Sequence, residues 1–295
     1  VGNELVFPYR PEYNAFYKSF NGIVDMIHQD DPDHPVTTTM INFQRKEIFN
    51  ITMRTNVDLL SFNTFSRITS LDQDIQDFSW FWKGPFLITE WAIDGPWKDS
   101  PSNAWSANIE STSTKKAAHY LERYKKYMPI NHPGYLGSFI FYWGQKQEAT
   151  HTWFSLFDEN GNKTEMVNAA QQIWTGKSAG KFPQINYMLV DGKGAFDNVL
   201  VEPNVKMKAE LLLLNTIPDS LSVKWEIYPE DWFKKNDINN IIKPPLVATW
   251  TAIKDMSTSF VAPSKKGPYR LFATVSDGKG HIATANTPFY VITAP

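Results

Sequence analysis

Glu4 lies in the stretch Val1-Gly2-Asn3-Glu4-Leu5, and 86 residues later Glu90 closes the apolar run Pro85-Phe86-Leu87-Ile88-Thr89-Glu90-Trp91. Two carboxyl groups at strand ends can divide the breaking of a glycosidic bond between them, one as general acid and base, the other as nucleophile. The acid must keep its proton at neutral pH, and burial beside a second carboxylate raises a pKa in that direction. Asn3 points away from its neighbour and can hydrogen-bond a sugar hydroxyl. A lone Asn-Glu pair is common on solvated surfaces, and a glutamate at a strand end serves equally well in an ion pair. The pattern gains weight from two more strand ends, Ser61-Phe62-Asn63-Thr64-Phe65 and Phe139-Ile140-Phe141-Tyr142-Trp143-Gly144, where Trp143 can form a floor under a sugar ring.

These side chains need elements to hold them, and residues 1–175 supply a repeating text of short β-rich runs and longer helical ones. Strands are expected at 1–5, 36–40, 57–62, 86–91 and 135–143, and helices at 14–29, with Phe16, Phe20, Ile23, Val24 and Ile27 at helical spacing, and at 114–127. Strand followed by helix, repeated, predicts a parallel sheet with helices outside it. Between Glu4 and Glu90 the repeat averages about 29 residues, close to the roughly 30 of a βαβ unit, which fits successive strands of one barrel. Prolines at 32, 35, 85 and 133 punctuate the turns before strands. The longer segment 92–113, with Trp97 and Trp105, follows a strand's C-terminal end, where barrels build their sites.

Near residues 175–180 the composition turns small and polar, and the helical period stops. Short strands follow at 211–214, 222–228, 247–253, 257–261, 269–276 and 281–292, with Asp277-Gly278-Lys279-Gly280 as a hairpin turn. Their even spacing predicts a β-sandwich with Trp225 in its core.

Composition excludes several classes. The 29 basic and 31 acidic residues leave a net charge of −2, too little positive field for nucleic acid. Cysteine is absent, which removes disulfides and thiolate chemistry, and the six histidines show no ligand spacing, so no metal or cofactor is expected. The longest uncharged apolar run, 134–145, is shorter than the roughly 20 residues of a membrane span. Eleven Trp, twelve Tyr and twenty Phe offer flat apolar faces with polar rims, which suit sugar rings, although most aromatics serve the core. No leader is visible, and an opening on a site residue leads to the expectation that the chain starts inside a domain.

The four strand ends together resemble the clan A (β/α)8 glycoside hydrolases, especially the family 2 type of β-galactosidases, β-mannosidases and β-glucuronidases. In that clan an Asn-Glu ends strand four, a Glu ends strand seven and a Trp ends strand eight; Asn3, Glu4, Glu90 and Trp143 stand in that order, over roughly residues 1–175. The resemblance implies a retaining hydrolase of β-glycosidic bonds, with Glu4 as acid/base and Glu90 as nucleophile. It implies carbohydrate contacts by Asn3, Asn63, Trp91, Trp97 and Trp143, no metal, and a secreted or periplasmic location. The fold class expected is α/β plus all-β: strands 4 to 8 of a TIM barrel over 1–177, then an immunoglobulin-like β-sandwich over 181–295. The first three barrel strands, with the Arg and His that hold nucleophile and substrate in this clan, would then come from another segment or chain. One position departs from the pattern: strand six of the clan offers a tyrosine hydroxyl two residues after its Asn, and Phe65 stands there. Two other readings remain open, a noncatalytic glycan-binding protein on a degenerate barrel, and a structural module whose glutamates serve ion pairs.

Overall fold

The computed structural model of the chain describes residues 1–97, 100–215, 221–230 and 242–293. They divide into two compact units, Val1–Ile93 with Arg123–Phe141, and Asp94–Glu122 with Tyr142–Pro295.

In the first unit, β1 (Thr37–Ile41), β2 (Leu59–Asn63), β3 (Phe86–Trp91) and β4 (Tyr135–Ile140) form an all-parallel sheet in chain order. Helices α1 (Asn14–Asp30), α2 (Arg45–Arg54), α3 (Ile68–Asp77) and α4 (Ser113–Tyr127) precede the four strands in turn, α4 belonging to this unit only from Arg123 onward. Helix α1 forms because Tyr17, Phe20 and Val24 fall on one buried stripe, and it stops at Asp31, whose N–H caps Ile27 O, since Pro32 cannot continue it. Strand β2 is buried at all five positions, as a parallel strand flanked on both sides and covered on both faces must be. Among the described strands, β1 and β4 each have one neighbour.

Residues 1–5 differ from expectation, for they are not a strand. Gly2 at φ 76° and Glu4 at φ 53° alternate into the left-handed region, which breaks an extended ladder. The loop is tied to the sheet nevertheless: the Val1 ammonium donates to Thr37 O, and Asn50 Nδ2 donates to Phe7 O at 2.6 Å, fixing the fully buried Phe7. Strand β4 ends at Ile140, three residues earlier than expected, and Tyr142 and Trp143 lie in a turn.

The second unit holds two sheets. One has the order β10 (Ala248–Ile253), β9 (Ser222–Pro229), β12 (Gly267–Ser276), β13 (His281–Val291), β5 (Lys163–Thr164), with β7 (Val199–Val201) also on β13. The other has β11 (Ser257–Val261), β8 (Lys206–Leu213) and β6 (Ile185–Val190). Their apolar positions share one core that includes Met188, Met207, Trp225, Phe260, Leu271 and Phe289. Trp225 is fully buried there, with the Trp250 ring parallel to it at 6.4 Å. The hairpin at 277–280 joins β12 to β13, with Asp277 Oδ1 accepting from the N–H of Lys279 and of His281.

The compact units do not divide at residues 177–181, where the sequence suggests a linker. Helix α5 (Glu165–Thr175) and the segment Asp94–Glu122 belong with the sandwich sheets. The physical reason is a set of buried polar links. Thr112 Oγ1 donates to Ile185 O at 3.0 Å, Thr114 Oγ1 accepts from Ile185 N at 3.0 Å, and Ser113 Oγ accepts from Thr284 N at 2.9 Å. Deeper in, Glu110 accepts from Lys116 Nζ, Thr150 Oγ1 (2.6 Å), Thr152 Oγ1 (2.8 Å) and Asn286 Nδ2 (2.6 Å). Arg270 donates to Glu230, Asn286 and Asn108 O, each at 2.6 Å. Charges this deep are tolerated only when paired and hydrogen-bonded. Burial pushes the Glu110 carboxyl up, but the Lys116 ammonium and the hydroxyl donors outweigh it and hold it below its ordinary value.

Candidate functional site

The site grows from the C-terminal ends of β2 and β3. Asn63, the last residue of β2, pairs in register with Glu90, whereas Phe62 pairs with Ile88, so Thr89 is an extra residue on β3. Such a bulge bends a strand and re-aims its side chains. Here Thr89 Oγ1 donates to Asn63 Oδ1 at 2.8 Å, and Thr64 N donates to Glu90 O at 2.7 Å. The other end of the same amide, Asn63 Nδ2, donates to Glu4 Oε1 at 3.1 Å and to Asn3 Oδ1 at 3.2 Å. Asn63 itself is 2% exposed, while Glu4 and Glu90 are half-buried.

Asn3, Glu4 and Asn63, all singled out in the sequence, therefore meet at one end of the sheet, with the backbone of Glu90 beside Asn63. Glu4 reaches this place from a backbone at φ 53°, a conformation that costs an L-residue roughly 1–2 kcal/mol. Strain of this kind persists where surroundings over-determine it and gathers at functional sites. Among the described residues, the partner of the Glu4 carboxylate is a neutral amide rather than a cation. The Asn3 Oδ1 is engaged by Asn63, and its Nδ2 faces no hydrogen-bond acceptor among the described residues. At the same end the rings of Phe65 and Phe141 meet edge to face at 5.4 Å.

The tryptophans fall differently. Trp91 is fully buried, its ring 5.7 Å from that of Tyr124 in α4, so it is a core residue and not a sugar platform. The bulge explains this: with one residue inserted, the apolar face of β3 runs through Phe86, Ile88 and Trp91. Trp97 and Trp143 belong to the second unit. Trp97 Nε1 donates to Glu148 Oε1 at 3.1 Å, and Trp143, 53% exposed, packs on Phe157 and Trp174 at 5.3 and 5.4 Å. Thr89 is the residue that sequence reading overlooked; its position beside Glu90 is visible there, but the bulge that turns it toward Asn63 exists only once two strands pair.

Among the described residues there is no cluster of three or more His, Asp or Glu side chains that could hold a metal. No helix among them is long and apolar enough to cross a membrane. A cavity of about 550 Å³ in the first unit lies between α3 and residues 126–133, and none of the residues singled out for the site lines it.

No protein-family model matches the chain, and no curated protein matches it. Among solved structures it is similar to a chitin binding domain from Burkholderia pseudomallei, with 12% identity over 38% of this chain and 74% of that one and a TM-score of 0.22. It is also similar to a glycoside hydrolase family 61 member, Cel61B, from Hypocrea jecorina, with 9% identity over 43% of this chain and 74% of that one and a TM-score of 0.19. Likenesses this distant carry no weight for fold or activity, and the reading of the site rests on its own geometry.

Proposed function

We propose that this protein is a retaining glycoside hydrolase that cleaves β-glycosidic bonds of an oligo- or polysaccharide, with Glu90 as nucleophile and Glu4 as acid/base. The observation that carries the reading is Asn63: it is the register partner of Glu90, and its side-chain amide holds the Glu4 carboxylate. Two glutamates from distant segments thus flank one amide at the C-terminal end of a parallel sheet, the end where α/β folds bind their ligands.

In the first step a Glu90 oxygen attacks the anomeric carbon, and the glycosidic C–O bond breaks as Glu4 gives its proton to the leaving oxygen. In the second step water attacks the same carbon, returns a proton to Glu4 and frees Glu90. Two inversions give net retention, which requires carboxyl groups about 5–5.5 Å apart. Thr89 and Asn63 act as positioning residues, and Asn3 offers an amide to a sugar hydroxyl. The same proposal extends to the fold: β1–β4 are strands of a (β/α)8 barrel whose remaining strands pair with β1 and β4. Parallel sheets are ordinarily covered and paired throughout, and these two edges have one strand neighbour each.

The test is turnover of aryl β-glycosides by the protein and by Glu90→Gln, with NMR of the first-formed sugar anomer. Retained configuration, and loss of turnover in a folded variant, are expected; undiminished activity in Glu90→Gln removes the proposal. A second reading, a noncatalytic glycan-binding protein, is favoured by Phe65, which carries no hydroxyl and is packed on Phe141. Glycan binding without hydrolysis, unchanged in Glu90→Gln, would select it.

A further inference from the structure

The second unit contains a cleft of about 260 Å³ that the carboxylate site does not use. Its floor is one face of the larger sandwich sheet. In register across four strands run Thr251 of β10, Lys224 of β9, Thr274 of β12 and Thr284 of β13. One pair of residues further along lies the row Ser222, Ser276 and Ile282. The intervening positions, such as Val223, Ala273 and Ala283, point into the sandwich core. The two-residue period of a strand thus gives this sheet a dry face and a polar face rich in hydroxyls, carried on strands about 4.8 Å apart. The wall opposite comes from Gln145, Ser155 and Phe157 together with residues 158–162.

A polar sheet face usually meets bulk water, and this one lines a cleft instead. The hydroxyls of Thr251, Thr274 and Thr284 have no side-chain partner among the described residues. The charges, in contrast, are of both signs and close to one another. Lys224 Nζ stands 3.0 Å from Glu226 Oε1, which also accepts from Tyr228 at 3.0 Å. Burial lowers the Lys243 pKa, a shift that the nearby Glu226 and Glu159 oppose only in part. Asp158 spends both oxygens on its own turn, accepting from the N–H groups of Asn160 and Asn162 and from Asn162 Nδ2. Most of what remains to be satisfied is neutral, hydroxyls and amides, with Lys243 and Glu159 as one charge of each sign, at a volume just below the roughly 300–1,000 Å³ of small-molecule sites. A ligand of either charge would meet a like charge in the cleft, whereas an uncharged one carrying several hydroxyls would complete the inventory.

We propose that this cleft is a second ligand site, which binds an uncharged polyhydroxylated chain, a short stretch of neutral glycan. The inference stands apart from the carboxylates of the first unit, and its failure would leave their role untouched.

The experiment is calorimetric titration of the full chain carrying Glu90→Gln, which blocks turnover, with cellohexaose, mannohexaose and chitohexaose, and with trigalacturonate as the anionic comparator. At least one neutral hexasaccharide is expected to bind. Adding Thr251→Val and Thr274→Val together should weaken the cleft's contribution at least tenfold, with the thermal midpoint unchanged. Thr251→Val alone, at an exposed position, should weaken it by a smaller factor and keeps the test valid should the double change unfold the unit. Unchanged affinity in both variants would overturn the proposal, as would binding of trigalacturonate alone or no binding of any hexasaccharide at millimolar concentration.

Discussion

Two groups of carboxylates divide this molecule's polar chemistry, and they are built on opposite plans. In the second unit Glu110 is buried, ion-paired to Lys116 and surrounded by three further donors, and Arg270 ties Glu230 and Asn286 into the same cluster. In the first unit Glu4 and Glu90 are half-buried, one on a strained loop and one beside a bulge, and Glu4 leans on a neutral amide. A carboxylate whose acceptor capacity is filled by fixed donors has no lone pair left for a substrate, and its removal harms the fold. Glu4, half-buried and held by a neutral amide, keeps the solvent access that moving a proton requires. The contrast separates structural from chemical roles better than the residue type does.

The same substitution in both places tests it most directly. Glu90→Gln is expected to lower turnover by about 10⁴-fold or more, as loss of a nucleophile does, with unfolding free energy changed by less than about 1 kcal/mol. Glu110→Gln should do the reverse, costing about 3–5 kcal/mol because Lys116 is left buried without its counter-charge. Urea unfolding and aryl-glycoside kinetics on both variants would expose any exchange of roles.

The pH dependence of stability sharpens the comparison. His151 in the second unit is mostly enclosed, and burial, with Lys243 nearby, lowers its pKa to about 3. A folded value below the unfolded value near 6.5 means that the unfolded state binds the proton first. Stability is then complete above about pH 6.5 and falls as the pH drops toward 3, by up to about 1.4 kcal/mol per pH unit. His151→Leu should flatten that slope for the second unit; an identical slope would show that the ring is exposed to water.

Smaller effects are expected from the residues that hold Glu4 and Glu90. Asn63→Ala removes an amide bound at both ends and should cost about 1–3 kcal/mol in stability, with kcat lowered about 10²-fold by misplacement of the carboxylates. A variant that loses stability but keeps kcat would mark Asn63 as scaffolding only. Thr89→Val removes one hydrogen bond, about 1 kcal/mol. Its kcat should fall less than that of Asn63→Ala, and a larger fall would mean that the bulge, more than the amide, sets the geometry.

The periodic parts of the chain were legible beforehand. The strand at 86–91 coincides with β3, the helices at 14–29 and 114–127 lie within a residue or so of α1 and α4, and the turn at 277–280 joins β12 to β13. Local rules govern these, because side-chain period and turn chemistry act within a few residues. Residues 1–5 misled because the apolar ends of that stretch suggest a strand, while Gly2 and Glu4 adopt left-handed backbone. Trp91 misled because a bulge, invisible without its partner strand, moved it to the core face.

By itself the sequence determined the alternation that builds a parallel sheet, the two-residue pattern that gives the sandwich its core, and the presence of Asn3, Glu4, Asn63 and Glu90 at the ends of their segments. Only the tertiary structure decided that Asn63 grips Glu4 while facing Glu90, and that residues 94–122 and 142–175 belong with the sandwich strands. Both outcomes depend on register and on buried hydrogen bonds between segments tens to more than a hundred residues apart. Pairings of that range are fixed by mutual fit and desolvation, which no local pattern encodes.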